Sequence, residues 1–201
     1  MLVEHDLFGN TYDKVADAIK IAQMFEPPDG EGYYLAYSGG KDSVCVKRIL
    51  DMAGVKYDTH YAVTAVDPPE LVRFVISQFD HVIYDMPDET HRYFDVVDGQ
   101  LTPAKEIPSE ENAIHFSIPT KPMIKLIPHK RMPPTRIARY CCKELKEIGG
   151  QFRRVVTGVR KAESVNREKN QGMVTITSKD EAEAAKDFGV NFTQTNRGGW
   201  C

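Results

Sequence analysis

The sequence predicts an α/β fold, a doubly wound and mostly parallel sheet with helices on both faces. Short apolar runs at 32–37, 57–65, 82–84 and 154–157 alternate with amphipathic runs of helical period. The joins between them are short, which builds βαβ units and puts the ligand crevice at the carboxyl ends of the strands. At 201 residues, 41% hydrophobic and 27% charged, the chain has core enough for a single domain over 1–201.

The elements follow in order. After Asn10 or Thr11 as N-cap, Val15, Ala18, Ile19, Ala22 and Phe25 recur at helical spacing, and Pro27-Pro28-Asp29-Gly30 ends that helix. Gly32-Tyr33-Tyr34-Leu35-Ala36-Tyr37 suits a buried strand. From Lys41 the period changes: Val44, Cys45, Val46, Ile49, Leu50, Met52 and Ala53 form a broad apolar stripe that Gly54 closes. Thr59, Val63 and Thr64 mark 57–65 as a second strand. Asp67 then caps a helix opened by Pro68-Pro69-Glu70, with Leu71, Phe74, Val75 and Phe79 inward. Val82-Ile83-Tyr84 is a third strand.

Over 86–119 periodicity fades among Pro87, Gly99, Pro103, Pro108 and Pro119, which predicts an irregular insertion or lid with a helical turn near Tyr93. Pro133-Pro134-Thr135 opens a helix that Gly149-Gly150 closes. Its apolar face is Ile137, Cys141, Leu145 and Ile148; its polar face is Arg136, Arg139, Tyr140 and Lys143. Arg154-Val155-Val156-Thr157 is a strand running into Gly158. With a helix from about Lys161, Arg160, Ser164 and Arg167 align at i, i+4 and i+7 toward one ligand, although Glu163 and Arg167 equally suit a solvated ion pair. A tail over 188–201 ends in Arg197-Gly198-Gly199-Trp200-Cys201.

The chemistry centres on Ser38-Gly39-Gly40-Lys41-Asp42-Ser43, a strand-to-helix turn. Two glycines permit positive φ and leave no Cβ in the way, so backbone N–H groups and the positive end of the helix dipole can meet an anion. Ser38 and Ser43 add hydroxyls and Lys41 a cation. The Walker pattern is not matched, because its first Gly falls at Leu35 and Asp42 takes its Ser/Thr place. Asp67, at the end of the second strand, would face a nucleotide's sugar or base if it is more than a cap.

Charge is unevenly placed. Between 121 and 169 there are 14 Lys and Arg against 4 Glu and no Asp, leaving 12 basic and 25 acidic residues elsewhere. Such a segment suits a polyanion, a nucleotide or a nucleic acid, or a solvated basic face. The four cysteines, Cys45, Cys141, Cys142 and Cys201, include an adjacent pair, so reduced thiols are expected rather than a disulfide scaffold. No apolar stretch approaches membrane-spanning length and residues 1–6 lack a signal-peptide pattern; a cytoplasmic location without a membrane partner is expected.

The hexapeptide resembles the S-G-G-x-D-S signature of the PP-loop superfamily, the ATP pyrophosphatases and sulfonucleotide reductases. Arg139-Tyr140-Cys141-Cys142-Lys143-Glu144-Leu145-Lys146 resembles the R-[YW]-C-C-x-x-L-K element of the phosphoadenosine-phosphosulfate reductase family, phage and bacterial members included. Gly158-Val159-Arg160 through Glu163-Ser164 and Arg167 resembles its G-[IV]-R-x-x-E-S-x-x-R element. With Asp67-Pro68-Pro69-Glu70 these are four motifs in family order, over about residues 30 to 175. The resemblance implies an adenine nucleotide alpha hydrolase-like fold holding ATP, adenylyl sulfate or phosphoadenylyl sulfate, with Mg²⁺ bridging the phosphates. It implies binding by residues 38–43, Asp67, Arg139, Lys143, Gly158, Arg160, Ser164 and Arg167.

Two family features are missing: the late E-C-G-x-H-like tail of the reductases, and a C-x-x-C to join Cys141-Cys142. A four-thiolate iron–sulfur cluster within one chain is therefore not expected. The resemblance also implies a further C-terminal segment with an Asp-Val-Trp element, so the chain reads as a short or truncated form.

Three functions follow. In the first, Lys41 and Arg160 are catalytic, stabilising charge as an acceptor is adenylylated and pyrophosphate leaves; a sulfur donor then displaces AMP, and a nucleic acid is one candidate acceptor. In the second, Cys201 is the nucleophile of a sulfonucleotide reductase served by a thioredoxin-like reductant. In the third, the protein binds nucleotide without turnover. Cys45 and Cys141, on apolar helix faces, are expected to be inert, with Cys142 intermediate.

Overall fold

A computed structural model describes residues 3–5, 11–28, 30–109, 111–135, 137–146, 149–150, 153–159, 174–176 and 192–194. The chain divides into two compact units, 1–158 and 159–201.

The first unit opens with strands β1 (Val3–His5) and β2 (Thr11–Asp13), paired antiparallel, and helix α1 (Lys14–Met24). The expected cap at Asn10 or Thr11 is corrected to Asp13. Its extended backbone and its carboxylate, accepting from the N–H groups of Val15 (3.1 Å) and Ala16 (3.3 Å), satisfy the first turn, while Thr11 pairs in a strand. There follow β3 (Tyr33–Ala36), α2 (Lys41–Ala53), β4 (Tyr57–Ala62), α3 (Pro69–Ile76) and β5 (His81–Asp85). These match the strands and helices expected there, and Gly54 closes α2 with φ +66°. Phe74, expected inward, is exposed.

The stretch 86–119 is not irregular. It holds β6 (His91–Val97), β7 (Gln100–Pro103) and β8 (Ala113–Ser117), and Tyr93 lies within β6 rather than in a helical turn. Asp98 (φ +51°) and Gly99 (φ +74°) join β6 to β7 as a two-residue hairpin turn, Val97 pairing with Gln100. β8 is central, with Ile114 and Phe116 fully buried.

Next come α4 (Met123–Lys130), which no sequence feature had suggested, α5 (Tyr140–Leu145) and β9 (Val155–Thr157). The helix expected from Pro133 onward is corrected to this shorter one. Thr135 Oγ1 accepts the Ala138 N–H (3.0 Å) in a local turn that competes with helix, leaving Ile137 98% exposed. Of the expected apolar face, Leu145 is buried and Cys141 half-buried.

The strands form a seven-stranded sheet in the order β7-β6-β5-β8-β4-β3-β9. β5, β8, β4, β3 and β9 are parallel; β6 and β7 add an antiparallel edge. This is a doubly wound α/β architecture with helices flanking the sheet. One face carries Tyr33, Leu35, Thr59, Tyr61, Val82, Ile114 and Phe116, all buried. There Tyr33 donates its hydroxyl to Ala22 O of α1 at 2.7 Å. The other face carries Tyr34, Asp58, His60, Asp85 and His115, and the Gly149-Gly150 turn packs on Tyr34.

In the second unit, β10 (Val174–Ile176) and β11 (Phe192–Gln194) pair in parallel. The helix expected from Lys161, and most of the 188–201 tail, lie outside the described residues. Among the described residues, no helix is long and apolar enough to cross a membrane.

Candidate functional site: the Gly-Gly turn and its surroundings

From β3 the chain passes through α2 to β4 on one side, and β9 later pairs on β3's other side. Strand order reverses at β3, and in open α/β sheets ligands bind outside the carboxyl end of the strand at that point. The segment emerging there is Ser38-Gly39-Gly40, leading directly into α2.

The turn is braced from within. Ser38 N–H donates to Ser43 Oγ (3.2 Å), Ser43 Oγ–H donates to Gly40 O (2.9 Å), and Gly40 N–H donates to Ser38 Oγ (3.4 Å). The two hydroxyls lie 3.3 Å apart. Ser43 is buried, so its hydroxyl acts as the internal post of the turn, whereas Ser38 and Lys41 are exposed. Gly39 takes φ +70°, and a Cβ there would sit 2.5 Å from Val75 Cγ2 and 2.9 Å from Leu71 Cδ1 of α3. Gly40 is the N-cap of α2, with φ −75° and no side-chain cap. The first N–H groups of α2 point out of the helix start, toward the turn.

Gly158, just beyond β9, closes the other side. A Cβ on it would lie 2.8 Å from Asp42 C and Ser43 N, so only glycine lets the two segments meet. The structure thus gathers residues 38–43 and Gly158.

Asp67 is corrected from cap to cavity residue. Pro68 is the N-cap of α3 without a side-chain bond, while Asp67 Oδ2 accepts the Thr64 hydroxyl at 2.5 Å. Asp67 lines a cavity of about 140 Å³ with Tyr61, Val63, Ala65, Val72, Tyr84 and Phe116. Burial first, and the Asp67 carboxylate second, push the Tyr61 phenol above its ordinary value.

Arg139 and Lys143 belong to a different feature, the α4–α5 pair. Arg139 is the N-cap of α5 with its guanidinium 3.5 Å from Cys142 Sγ, Lys143 is exposed, and Lys130 and Glu144 join the helices at 2.7 Å. Cys45, expected on an apolar face, is exposed; Cys45, Cys141 and Cys142 are free thiols. Arg160, Ser164, Arg167 and Cys201 lie outside the described residues.

The polar face of the sheet escaped the sequence reading. Asp58 accepts from His60 Nε2 (2.5 Å) and from both terminal nitrogens of Arg153, Nη1 at 2.6 Å. Burial alone would raise the Asp58 carboxyl, but hydrogen bonds from His60 and Arg153 together hold it well below the usual carboxylate range. Burial pushes the His60 imidazole down and the Tyr34 phenol up to about 12. Asp85 is contacted by His91 Nδ1 (2.9 Å) and His115 Nδ1 (3.1 Å).

No family model, no curated protein and no solved structure matches this chain.

Proposed function

We propose that this protein is an adenine-nucleotide-binding PP-loop enzyme. It acts at the α-phosphate of ATP or an adenylyl sulfate, adenylylating an acceptor in a sulfur-transfer type of reaction, in the cytoplasm. The observation that supports this most is the braced Gly-Gly turn at the carboxyl end of β3, where sheet order reverses and the N-terminus of α2 begins.

In this reading the phosphates lie against the backbone of Gly39 and Gly40, with Lys41 offsetting charge as pyrophosphate leaves; the same role for Arg160 enters only through the resemblance. The base or sugar occupies the cavity beside Asp67, whose aromatic walls, Tyr61, Tyr84 and Phe116, suit a flat heterocycle. Mg²⁺, where present, would neutralise the phosphates. Arg139, Lys143, Ser164 and Arg167 enter only through the resemblance.

The test begins with thermal shift in ATP, adenylyl sulfate, its 3′-phosphorylated form and AMP. A ligand at about 100 times its Kd stabilises the folded state by about 2.7 kcal/mol. Gly40→Val, whose Cβ has room, is expected to fold and to lose that shift. ATP–pyrophosphate exchange with candidate acceptors and thiol-dependent sulfite release are then compared in wild type, Lys41→Ala and Cys201→Ser. Exchange lost in Lys41→Ala and kept in Cys201→Ser is the expected pattern. Sulfite release abolished in Cys201→Ser would replace the adenylylation reading with the reductase, and silence in both assays despite tight binding would leave a non-catalytic binder.

A further inference from the structure

The polar face of the sheet holds a cluster that the nucleotide reading does not use. Parallel pairing sets Ala36, His60 and His115 in one row across β3, β4 and β8. Asp85 of β5 stands two residues beyond Ile83, the residue paired with His115. Side chains of one row share a face, so three neighbouring strands deliver two imidazoles and one carboxylate to one spot. We propose that His60, Asp85 and His115 bind one divalent transition-metal ion of the Zn²⁺ class.

One donor atom from each residue lies within 4.8 Å of the other two. Tetrahedral ligands at Zn²⁺ distances stand about 3.3 Å apart. The His60 and His115 rings are stacked, centroids 4.6 Å apart and planes 24° from parallel, so binding draws the donors together and turns the His115 ring out of that stack, bringing both in-plane lone pairs onto one ion. The partners of His60 fix its tautomer. Its Nε2 faces the Asp58 carboxylate at 2.5 Å, and a carboxylate held by Arg153 accepts, so the proton resides on Nε2. In the neutral ring Nδ1 then carries a lone pair, and it lies 4.0 Å from Asp85 Oδ2. Two acceptors facing each other beyond hydrogen-bond length leave room for a cation between them. An imidazole whose second nitrogen donates to a carboxylate is also the arrangement that strengthens a metal-ligating histidine.

His115 Nδ1 lies 3.1 and 3.2 Å from the two Asp85 oxygens, and His91 Nδ1 2.9 Å from one of them. These contacts orient the carboxylate; the metal takes the place of the proton between His115 and Asp85, and the neutral His115 ring then carries its one proton on Nε2. Two imidazoles and a carboxylate suit Zn²⁺, Co²⁺ or Fe²⁺ better than the all-oxygen preference of Mg²⁺ or Ca²⁺. Three protein ligands leave a fourth position for water or a small ligand. Asp58, Arg153 and His91 act as positioning residues.

The test uses the whole, chelator-stripped protein titrated with Zn²⁺ against a chromophoric chelator, and with Co²⁺ followed by its visible spectrum. One equivalent is expected to bind, without a thiolate-to-cobalt charge-transfer band. His115→Gln and Asp85→Asn are expected to abolish it, Asp58→Asn to weaken it about 10- to 100-fold, and Cys141→Ser with Cys142→Ser to leave it unchanged. Circular dichroism checks that each variant is folded; if His115→Gln is not, Asp85→Asn and Asp58→Asn decide. Unchanged affinity in a folded ligand variant, a signal lost with the cysteines, or no stoichiometric binding by wild type would overturn the site. Gly40→Val is expected to bind Zn²⁺ like wild type, so failure of the nucleotide reading leaves this one testable on its own.

Discussion

Gly39 and Gly40 are neighbours with different physical duties. Gly39 combines φ +70° with a Cβ direction blocked by Val75 and Leu71, so an alanine there meets both backbone strain and overpacking against α3. Gly39→Ala is expected to cost about 2 to 4 kcal/mol in urea unfolding. Gly40 has an ordinary extended backbone and its Cβ would meet only Ser38 Oγ, at 3.4 Å, so Gly40→Ala is expected to change stability by no more than about 0.5 kcal/mol. The pair separates fold from function: a stable Gly40 variant that loses nucleotide binding reports on the ligand, whereas a Gly39 variant reports on packing. Equal destabilisation by both would mean that the turn is not built as described.

Between elements, the contact that matters most to the candidate site is Gly158 against the first turn of α2. The atoms facing it are the backbone of Asp42 and Ser43, which cannot rotate away as a side chain would. Gly158→Ala is therefore expected to cost about 1 to 3 kcal/mol and to weaken nucleotide binding, because β9 and the helix start must part. Gly54→Ala, with open space around it and only φ +66° to bear, is the control at about 1 kcal/mol, its binding unchanged. Calorimetric titration beside urea unfolding checks both. The turn itself was legible because its signal is local: an apolar run, two glycines and a change of period within about twenty residues. The central strand β8 was not. Its Ile114 and Phe116 alternate with His115 and Ser117, but the run is only five residues long and follows a proline-rich stretch. Asp98-Gly99 is a residue pair that suits a two-residue hairpin turn, but it sits among those prolines and periodicity alone does not single it out. His115 and Asp85 are 30 residues apart in sequence, so the cluster they form with His60 exists only once the order of the strands is known.

Across the whole first unit, residues 153–154 tie the late chain to its beginning. Arg153 grips Asp58 of β4 and Gly32 O before β3, and Arg154 Nη1 donates to Phe25 O at 2.9 Å, 129 residues away in sequence. The Arg153–Asp58 pair is largely buried, so Arg153→Met is expected to cost about 2 to 3 kcal/mol in urea unfolding; a loss no greater than that of an exposed arginine would count against the clamp. The same clamp holds Asp58 against His60, yet the Gly-Gly turn and the histidine cluster have no residue in common. Both lie toward the carboxyl edge of the sheet, one in the turn after β3 and the other on the polar face. Sites that share no side chain add their stabilisation, whereas sites coupled through a common element do not. Thermal unfolding with nucleotide alone, Zn²⁺ alone and both together is therefore expected to give shifts that, expressed as free energies, add to within about 0.5 kcal/mol. Gly40→Val should keep the Zn²⁺ shift and lose the nucleotide shift, and His115→Gln should do the reverse. A larger-than-additive shift, abolished by either variant, would instead make the metal part of the nucleotide site, with its open coordination position directed at the bound phosphates.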